Sequence, residues 1–391
     1  MASLARATFL AGGAAAAVAA SAKPASAAFG DTPISGTVVI GVVGPFTGDS
    51  IRLGEQMANG VRAAADDANQ LRGPLDRTFE LRTFDDQNLL ASGLVNAEFA
   101  CDDPQTVAVI GHLAGRITEA AMQTYVNNHM QVICPGSSYD RLTAHGYGNL
   151  LRLPTKDSAE GHLAARRMNA LLKPKTVVAL YQDGDYGADV VAGFQAQMQG
   201  DKVTSNAIAF SWDKPDFAGI AKSVVAVKPD VVFLGGLVKD MGGIIPALTA
   251  AGYTGPYWGS QGFFDAATIT KYGTAIEGLT VSSSMPPLAL APGAFRIKND
   301  FEHKYGAMTP LSTFSYAAAQ IVIAVVRRTN ANDRIAVERA LNVSTAFDTV
   351  IGTIAFNTQG DVQDPNAYFY TVTSGAWKYA GSAVPSSYVI K

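Results

Sequence analysis

Short, uninterrupted apolar runs alternate with longer amphipathic segments along the first part of the chain. The run Val107-Ala108-Val109-Ile110 is typical, because it places apolar side chains on both faces of a strand. Strands of this kind are buried on both sides, as in a parallel sheet that helices cover. The pattern predicts strands at 37–45, 78–86, 106–113 and 131–135, separated by helices at 53–70, 89–100 and 117–128.

The alternation begins again after the segment 150–154, which predicts a second unit with its own core. Its strands are predicted at 176–181, 207–210 and 231–237, and its helices at 157–172, 190–199, 217–227 and 241–251. The chain is therefore predicted to be an α/β protein with two doubly wound parallel-sheet lobes.

Beyond the second unit, the chain is predicted to contain a crossover, three helices and a hairpin. A run at 279–284 leads into Met285-Pro286-Pro287, which predicts an extended crossover because proline restricts the chain to extended backbone. Three helices are predicted next, at 294–305, 313–328 and 333–341. The segments 352–356 and 367–372 are predicted to pair as a terminal hairpin.

Length and charge narrow the choice of partner. With 391 residues the chain has room for about two domains. Its net charge is −3, and loss of Arg6 and Lys23 with the leader described below lowers it by two, to −5. A mildly acidic balance without basic clusters argues against nucleic acid or an anionic membrane as the main partner. A small anionic ligand is not excluded, because it needs only a local field.

The first 27 residues are predicted to be a cleaved signal peptide, which places the mature chain in the periplasm. Arg6 supplies the positive region, 7–22 the apolar region and Ala25-Ser26-Ala27 the cleavage site. The apolar region is too short to indicate a membrane span, although an uncleaved anchor is the alternative. Twin-arginine export stays open, since Ala5 stands where the first arginine of that motif would be. No cysteine stands at the end of the apolar region, where a lipid would be attached, so a lipid anchor is not predicted.

The two cysteines, Cys101 and Cys134, are predicted to be buried thiols. Cys101 precedes one predicted strand and Cys134 ends the next, so in a parallel sheet they lie at opposite edges. That separation exceeds the Cα distance of about 7 Å that a disulfide tolerates. A disulfide remains the alternative, because an exported chain with two cysteines commonly forms one.

A series of short motifs then connects the chain to a known family. Gly44-Pro45-Phe46-Thr47-Gly48, followed by Gly54 and Gly60, resembles the opening of periplasmic binding proteins of the Leu/Ile/Val type. Further matches follow in the same order as in that family, at 84–86, 109–112, 135–138, 183–187, 235–236 and 356–361. Most of these segments end predicted strands, where ligands bind in open α/β sheets.

The resemblance implies the type I periplasmic binding protein fold, with two lobes joined by three crossovers and a ligand in the cleft between them. The lobes are expected at 34–152 plus 285–361 and at 153–284 plus 362–391. The protein would deliver its ligand to an inner-membrane ABC permease and its ATPase, as a monomer without a cofactor. A ligand-sensing receptor module is the alternative, because the same fold serves receptors.

Five candidate ligand contacts lie in the two loops that follow β-strands of the first lobe near residues 115 and 137. In the resembling amino-acid binders, a serine hydroxyl and helix amides hold the ligand carboxylate where Gly115 stands here. Arg116 follows at once, and either binds a carboxylate or is a solvated first-turn arginine. The second loop of the family corresponds to Gly136, Ser137 and Ser138, of which Ser138 keeps a hydroxyl for the ligand.

Four further candidates determine how polar and how acidic the cleft is. Tyr186 matches a tyrosine that covers the ligand, and Leu53 and Leu237 stand where branched-chain binders have tyrosines. Gln261 replaces the glutamate that pairs with the ligand ammonium in amino-acid binders. Because an unpaired buried charge costs several kcal/mol, the sequence predicts a less acidic cleft and a ligand that lacks a free ammonium. The alternative is an amino-acid binder in which Asp240 or another acid replaces that glutamate.

Catalytic and metal sites are not predicted. The five histidines have no metal-ligand spacing, and neither a Gly-x-Ser-x-Gly motif nor a P-loop is present. The acidic pairs Asp85-Asp86 and Asp183/Asp185 are interpreted as loop caps. His112 is interpreted as a structural residue near a strand end. The chain is therefore not predicted to be an enzyme.

Overall fold

The computed structural model describes residues 36–71, 77–211, 215–290, 293–330, 333–344 and 346–383. The predicted signal peptide at 1–27 and the end of the tail, 384–391, lie outside the described residues. The strands are β1 Thr37–Gly44, β2 Thr78–Asp85, β3 Thr106–Gly111, β4 Gln131–Cys134, β5 Leu150–Arg152, β6 Thr176–Gln182, β7 Thr204–Phe210, β8 Val231–Gly235, β9 Tyr257–Gly259, β10 Thr280–Ser283, β11 Phe347–Thr349, β12 Gly352–Ile354, β13 Tyr368–Thr373 and β14 Ala376–Ser382.

The helices alternate with these strands. They are α1 Ile51–Gln70, α2 Leu90–Asp102, α3 Gly115–Asn127, α4 Asp157–Leu172, α5 Asp185–Gly200, α6 Phe217–Val227, α7 Val238–Met241, α8 Ile244–Ala250, α9 Ala266–Tyr272, α10 Ala294–Tyr305, α11 Pro310–Thr329 and α12 Arg334–Asn342.

The first lobe is built on a parallel sheet in the order β2-β1-β3-β4-β5. The central strand β1 is apolar on both faces and almost wholly buried, as the uninterrupted run predicted. Ile40 lies between Leu81 of β2 and Ala108 of β3. Burial of each such side chain stabilises the fold by about 1.5–3 kcal/mol.

Helix α11 returns from the second half of the chain to complete the first lobe. Thr309 and Ser312 form a reciprocal capping box at its start, and Pro310 occupies the first helical position. The helix is long and apolar enough to cross a membrane, yet most of it is buried in the lobe, so it is a core helix. It packs closely on α1, where a Cβ on Gly60 would lie 2.3 Å from the Ser312 carbonyl oxygen.

The second lobe contains a seven-stranded sheet in the order β14-β13-β10-β9-β8-β6-β7. Strands β6 to β10 are parallel, and β13 and β14 add an antiparallel edge. Phe194 of α5 stacks on Phe233 of β8 with ring centres 4.1 Å apart. The lobe therefore has its own core, separate from that of the first lobe.

The chain passes between the lobes three times. It leaves the first sheet after β5, returns to the first lobe after β10, and joins the second sheet again at β13. This arrangement confirms the predicted fold class: two doubly wound lobes joined by three crossovers, the type I periplasmic binding protein fold.

The predicted terminal hairpin is wrong. Segment 352–356 pairs with β11 beside α11, whereas β13 pairs with β10 and β14 of the second sheet. The two segments lie close in sequence, but the third crossover runs between them. The hairpins that form are local ones, β11 with β12 and β13 with β14.

Both cysteines are free, buried thiols. Cys101 lies in the last turn of α2, and Cys134 ends β4. Burial raises the pKa of the Cys101 thiol to about 11 and also raises the pKa of Cys134. The structure thus agrees with the prediction of two thiols.

Candidate functional site

The carboxyl ends of the two parallel sheets face each other across the cleft. Loops after β3 and β4 bring Arg116 and Ser138 to the edge of the first lobe. The turn after β6 begins α5 at Asp185, and the loop after β9 carries Gln261 in the second lobe. Hydrogen bonds from Arg116 to Asp185 and from the Asp157 N–H to the Ser138 carbonyl oxygen join these edges of the two lobes.

Gly115 and Ser137 lie against each other in the first lobe. A Cβ built on Gly115 would lie 2.3 Å from Ser137 Oγ and 2.8 Å from the Cβ of Tyr139. The Ser137 hydroxyl accepts a hydrogen bond from the Tyr139 N–H at 3.2 Å and is buried. A hydroxyl therefore stands beside the first turn of α3 although Gly115 has none. Ser137 is also committed to a local turn, so its predicted ligand contact remains a prediction.

Ser138 lies where the two lobes touch. Its carbonyl oxygen accepts from the Asp157 N–H at 2.9 Å, and its side chain hydrogen-bonds to the Asp157 carboxyl group. Gly136 is exposed between Leu113 and Leu311, each with a methyl carbon 3.2 Å from the position of its missing Cβ. This part of the wall is therefore apolar at Gly136 and polar at Ser138.

Arg116 reaches across the cleft to the other lobe. Its Nε donates to Asp185 Oδ2 at 2.8 Å, its Nη2 contacts the same oxygen, and its guanidinium lies over the Tyr139 ring. The sequence left two possibilities for Arg116, a ligand carboxylate as its partner or a solvated position in the first turn of a helix. The structure pairs the exposed guanidinium with a protein carboxylate of the other lobe, and contact of Arg116 with a ligand stays a prediction.

A buried glutamate, Glu160, lies directly beside Gln261. Its Oε1 accepts from the Gln261 N–H and from the Ser282 hydroxyl, both at 2.6 Å. Oε2 has no hydrogen bond of good geometry from the described residues, and a weaker hydrogen bond from the Tyr186 side chain to the carboxyl group lowers its pKa. Burial outweighs these hydrogen bonds and raises the pKa of Glu160 to about 7.

The predicted residues of the second lobe surround this carboxyl group. The Tyr186 hydroxyl accepts from the Gly262 N–H at 3.1 Å, and burial raises its pKa. Gln261 Oε1 accepts from the Ser284 hydroxyl at 3.0 Å, which ties that amide to the second crossover. Leu237 is half-buried against Gly262.

Leu53 is half-buried in the first turn of α1, which belongs to the first lobe. The described contacts join Ser138 with Asp157, Arg116 with Asp185, and Tyr186 with Gly262, but they do not connect Leu53 to this set. A role for Leu53 in the cleft remains a prediction. Asp240, the acid named as a substitute for the missing glutamate, lies 3.8 Å from the Lys239 ammonium.

Three aspartates form a second acidic group between the lobes. Oxygens of Asp140, Asp157 and Asp189 all lie within 4.8 Å of one another. Asp140 belongs to the first lobe, whereas Asp157 begins α4 and Asp189 lies one turn into α5 in the second. Burial first, and then Glu160 and the neighbouring aspartates, raise the pKa of Asp157 to about 8.

Sequence reasoning missed Glu160 and these three aspartates. The sequence predicted a helix that begins at Asp157, but it assigned no function to any of these four residues. They lie in three separate segments, so no single local motif contains all four residues. The available signal was the Asp157–Glu160 spacing, which places two acids on one face of a helix that begins at a crossover.

Comparisons with known proteins agree with this geometry. The family model described as "Periplasmic binding protein" matches residues 37–376. The chain belongs to this family. It is 26% identical over 356 residues to the Leu/Ile/Val-binding protein of Escherichia coli, a match that covers 86% of this chain and 91% of that protein.

Solved structures show the same fold for this periplasmic binding protein. A leucine binding protein from Thermotoga maritima has a TM-score of 0.76 and 21% identity, covering 89% of this chain and 99% of that one. An ABC transporter solute binding protein from R. palustris, in complex with benzoate, has a TM-score of 0.73 and 18% identity, covering 90% and 97%. The family comprises extracytoplasmic solute-binding components of ABC transporters and is not enzymatic.

Buried polar groups hold the first-lobe loops of the binding protein in place. Arg152 donates to the Tyr139 carbonyl oxygen at 2.6 Å and to Asp361 Oδ1 from Nε at 2.9 Å. His112 lies wholly buried between Asp86 and Tyr125, at 2.7 and 3.0 Å. His112 thus has the structural position that the sequence predicted.

Proposed function

We propose that this binding protein delivers a ligand with an amino group, of the amino-acid class, to an ABC permease and its ATPase. The observation that carries the proposal is the buried Glu160 carboxyl beside Gln261. An ammonium group in the cleft requires a carboxylate partner there, since an unpaired buried cation costs several kcal/mol. Glu160 supplies that partner from α4, with one oxygen that lacks a hydrogen bond of good geometry from the described residues.

The ligand without an ammonium, predicted from Gln261, is the second candidate. A ligand without an ammonium group is expected if the cleft carries no acid near the Gln261 loop. Glu160, however, places a carboxyl group beside that loop. The alternative that another acid replaces the missing glutamate is therefore better supported. The Leu/Ile/Val-binding protein of E. coli supports the amino-acid class by name, and the benzoate complex of R. palustris supports the second candidate.

The remaining parts of the proposal follow from the family. We propose a leader that ends near residue 27, by either export route, and a periplasmic monomer. The lobes would comprise 34–152 with 285–361 and 153–284 with 362–391. In this scheme the ligand carboxylate lies at the first turn of α3, near Gly115, Ser137 and Ser138, and Tyr186 covers it from the other lobe.

A thermal-unfolding panel tests the ligand class. The protein is unfolded, dialysed and refolded to remove co-purified ligand, and then heated with leucine, valine, benzoate or 3,4-dihydroxybenzoate. A micromolar ligand at millimolar concentration raises the free energy of unfolding by about 4 kcal/mol. We expect amino acids, and not the aromatic acids, to stabilise the wild type. The Glu160→Gln variant should lose the stabilisation, and Glu98→Gln, an exposed acid of α2, should keep it.

The pH dependence of binding adds an independent readout. An ammonium ligand pairs with ionised Glu160, whose pKa in the free protein is raised to about 7. Affinity for such a ligand should therefore rise between pH 6 and pH 8, with proton release on binding. Stabilisation by benzoate alone, or amino-acid binding that Glu160→Gln leaves unchanged, would overturn the proposal in favour of the second candidate.

A further inference from the structure

The three aspartates between the lobes occupy a different place from Glu160. Asp140 follows the loop of Ser138 in the first lobe, Asp157 begins α4, and Asp189 lies one turn into α5. Their mutual oxygen separations, all within 4.8 Å, are those of ligands around one common centre. Oxygens that coordinate Ca²⁺ at 2.3–2.6 Å lie at most about 5 Å apart.

The buried member of the group has an oxygen without a partner. Asp157 is 2% exposed, and its Oδ1 accepts no hydrogen bond from the residues that the structure describes. Asp140 Oδ1 accepts from the Ser158 N–H at 2.9 Å, which fixes that carboxyl group in orientation. Asp157 Oδ1 is therefore a buried polar atom whose hydrogen-bonding capacity the described residues leave unused, which is uncommon in a folded protein.

Among the residues that the structure describes, no lysine or arginine forms an ion pair with Asp140, Asp157 or Asp189. Arg116 contacts α5, but its described partners are Asp185 and Tyr139. Burial, and then the neighbouring charges of Asp140 and Asp185, raise the pKa of Asp189. Like charges from opposite lobes would oppose closure unless a cation or protons lie between them.

We propose that Asp140, Asp157 and Asp189 bind a hard divalent cation, of the Ca²⁺ class, that bridges the two lobes. Three carboxylates without nitrogen or sulfur ligands favour such an ion over Zn²⁺. The Ser138 hydroxyl is available as a further oxygen ligand, and the half-buried Asp140 and Asp189 leave room for water. The ion stabilises the closed arrangement because it joins a first-lobe ligand to two second-lobe ligands.

Calcium titration of the full chain tests this site without any organic ligand. Protein treated with EDTA and dialysed is titrated with CaCl₂ by isothermal calorimetry, and its melting temperature is measured in parallel. We expect saturable binding that Asp189→Asn and Asp140→Asn weaken about tenfold or more, since each removes a charged ligand. Asp300→Asn, an exposed acid of α10 in an ion pair with Arg296, is the matched control and should bind as the wild type.

The controls separate this proposal from that for the ligand. Both test variants change half-buried positions, and their circular dichroism and urea midpoints establish that they fold. The absence of calcium binding by the wild type, or equal binding by Asp189→Asn, overturns the metal site and leaves the Glu160 proposal untouched. Loss of amino-acid binding in Asp189→Asn without any calcium binding also overturns it, because the cation is then the ligand's own ammonium.

Discussion

Gly115 shows how a single position in the cleft wall depends on its neighbour. Its missing side chain leaves space for the Ser137 hydroxyl and the Tyr139 Cβ, at 2.3 and 2.8 Å from the place of a Cβ. The backbone there does not need a positive φ, so the constraint is contact alone. A side chain at residue 115 must displace a loop that a buried arginine holds from behind.

The first prediction concerns Gly115→Ala. We expect the free energy of unfolding to fall by about 1–3 kcal/mol, as in other overpacked sites, and ligand affinity to fall with it. Urea denaturation followed by circular dichroism measures the change. Gly148→Ala is the control, since a Cβ there meets no atom within 4 Å. Removal of the hydroxyl in Gly115→Ala/Ser137→Ala should recover part of the loss; an additive double variant would contradict the contact.

The role of a residue is hardest to predict from the sequence where side chains from distant segments determine the charge around it. Gln261 was assigned a neutral environment because its own side chain is neutral. The acid that accepts its N–H, Glu160, lies 101 positions earlier in the chain. Only the packing of α4 against the loop after β9 brings them together, and no spacing rule contains that information.

At the scale of elements, the buried Arg152 connects β5 to the chain segment that follows β12. It donates to Asp361, to the Tyr139 carbonyl oxygen and to Thr143. The ion pair with Asp361 lies in the interior, where Arg152 is wholly buried. It fixes the loop that presents Ser137 and Ser138 to the cleft.

The second prediction is that Asp361→Asn destabilises the protein and loosens this loop. Removal of one partner of a buried ion pair costs about 3–5 kcal/mol, because the other charge stays buried. The urea midpoint should fall accordingly, and hydrogen exchange should rise at 136–143. Asp348→Asn, an exposed acid of β11, is the comparison. If Asp361→Asn unfolds at the wild-type midpoint, the ion pair does not support the loop.

The helices and central strands could be predicted because their signals are local. Uninterrupted apolar runs marked β1, β3 and β8, and amphipathic periodicity marked α1 and α11. The tail could not be predicted, since the choice of partner for β13 depends on the free edge of β10 in the other lobe. Nearness in sequence favoured the wrong hairpin.

For the whole molecule, closure balances attraction against repulsion between the lobes. Arg116 and Asp185 attract each other across the cleft, while Asp140 faces Asp157 and Asp189, which repel it when they are ionised. The proposed cation would replace the repulsion among the three aspartates by attraction of each carboxylate to the ion. Without it, the exposed Arg116–Asp185 pair is the charge contact that favours the closed arrangement.

The final prediction follows from that pair. Arg116→Asp and Asp185→Arg should each open the ligand-free protein and weaken ligand binding about two- to fivefold, the scale of an exposed ion pair. Small-angle scattering measures the opening, and calorimetry the affinity. The exchanged double variant should restore both, and about 1 M salt, with a screening length near 3 Å, should remove the difference among all four proteins. If Arg116 instead holds a ligand carboxylate, the double variant stays weak towards carboxylate ligands, because the guanidinium then lies on the wrong lobe.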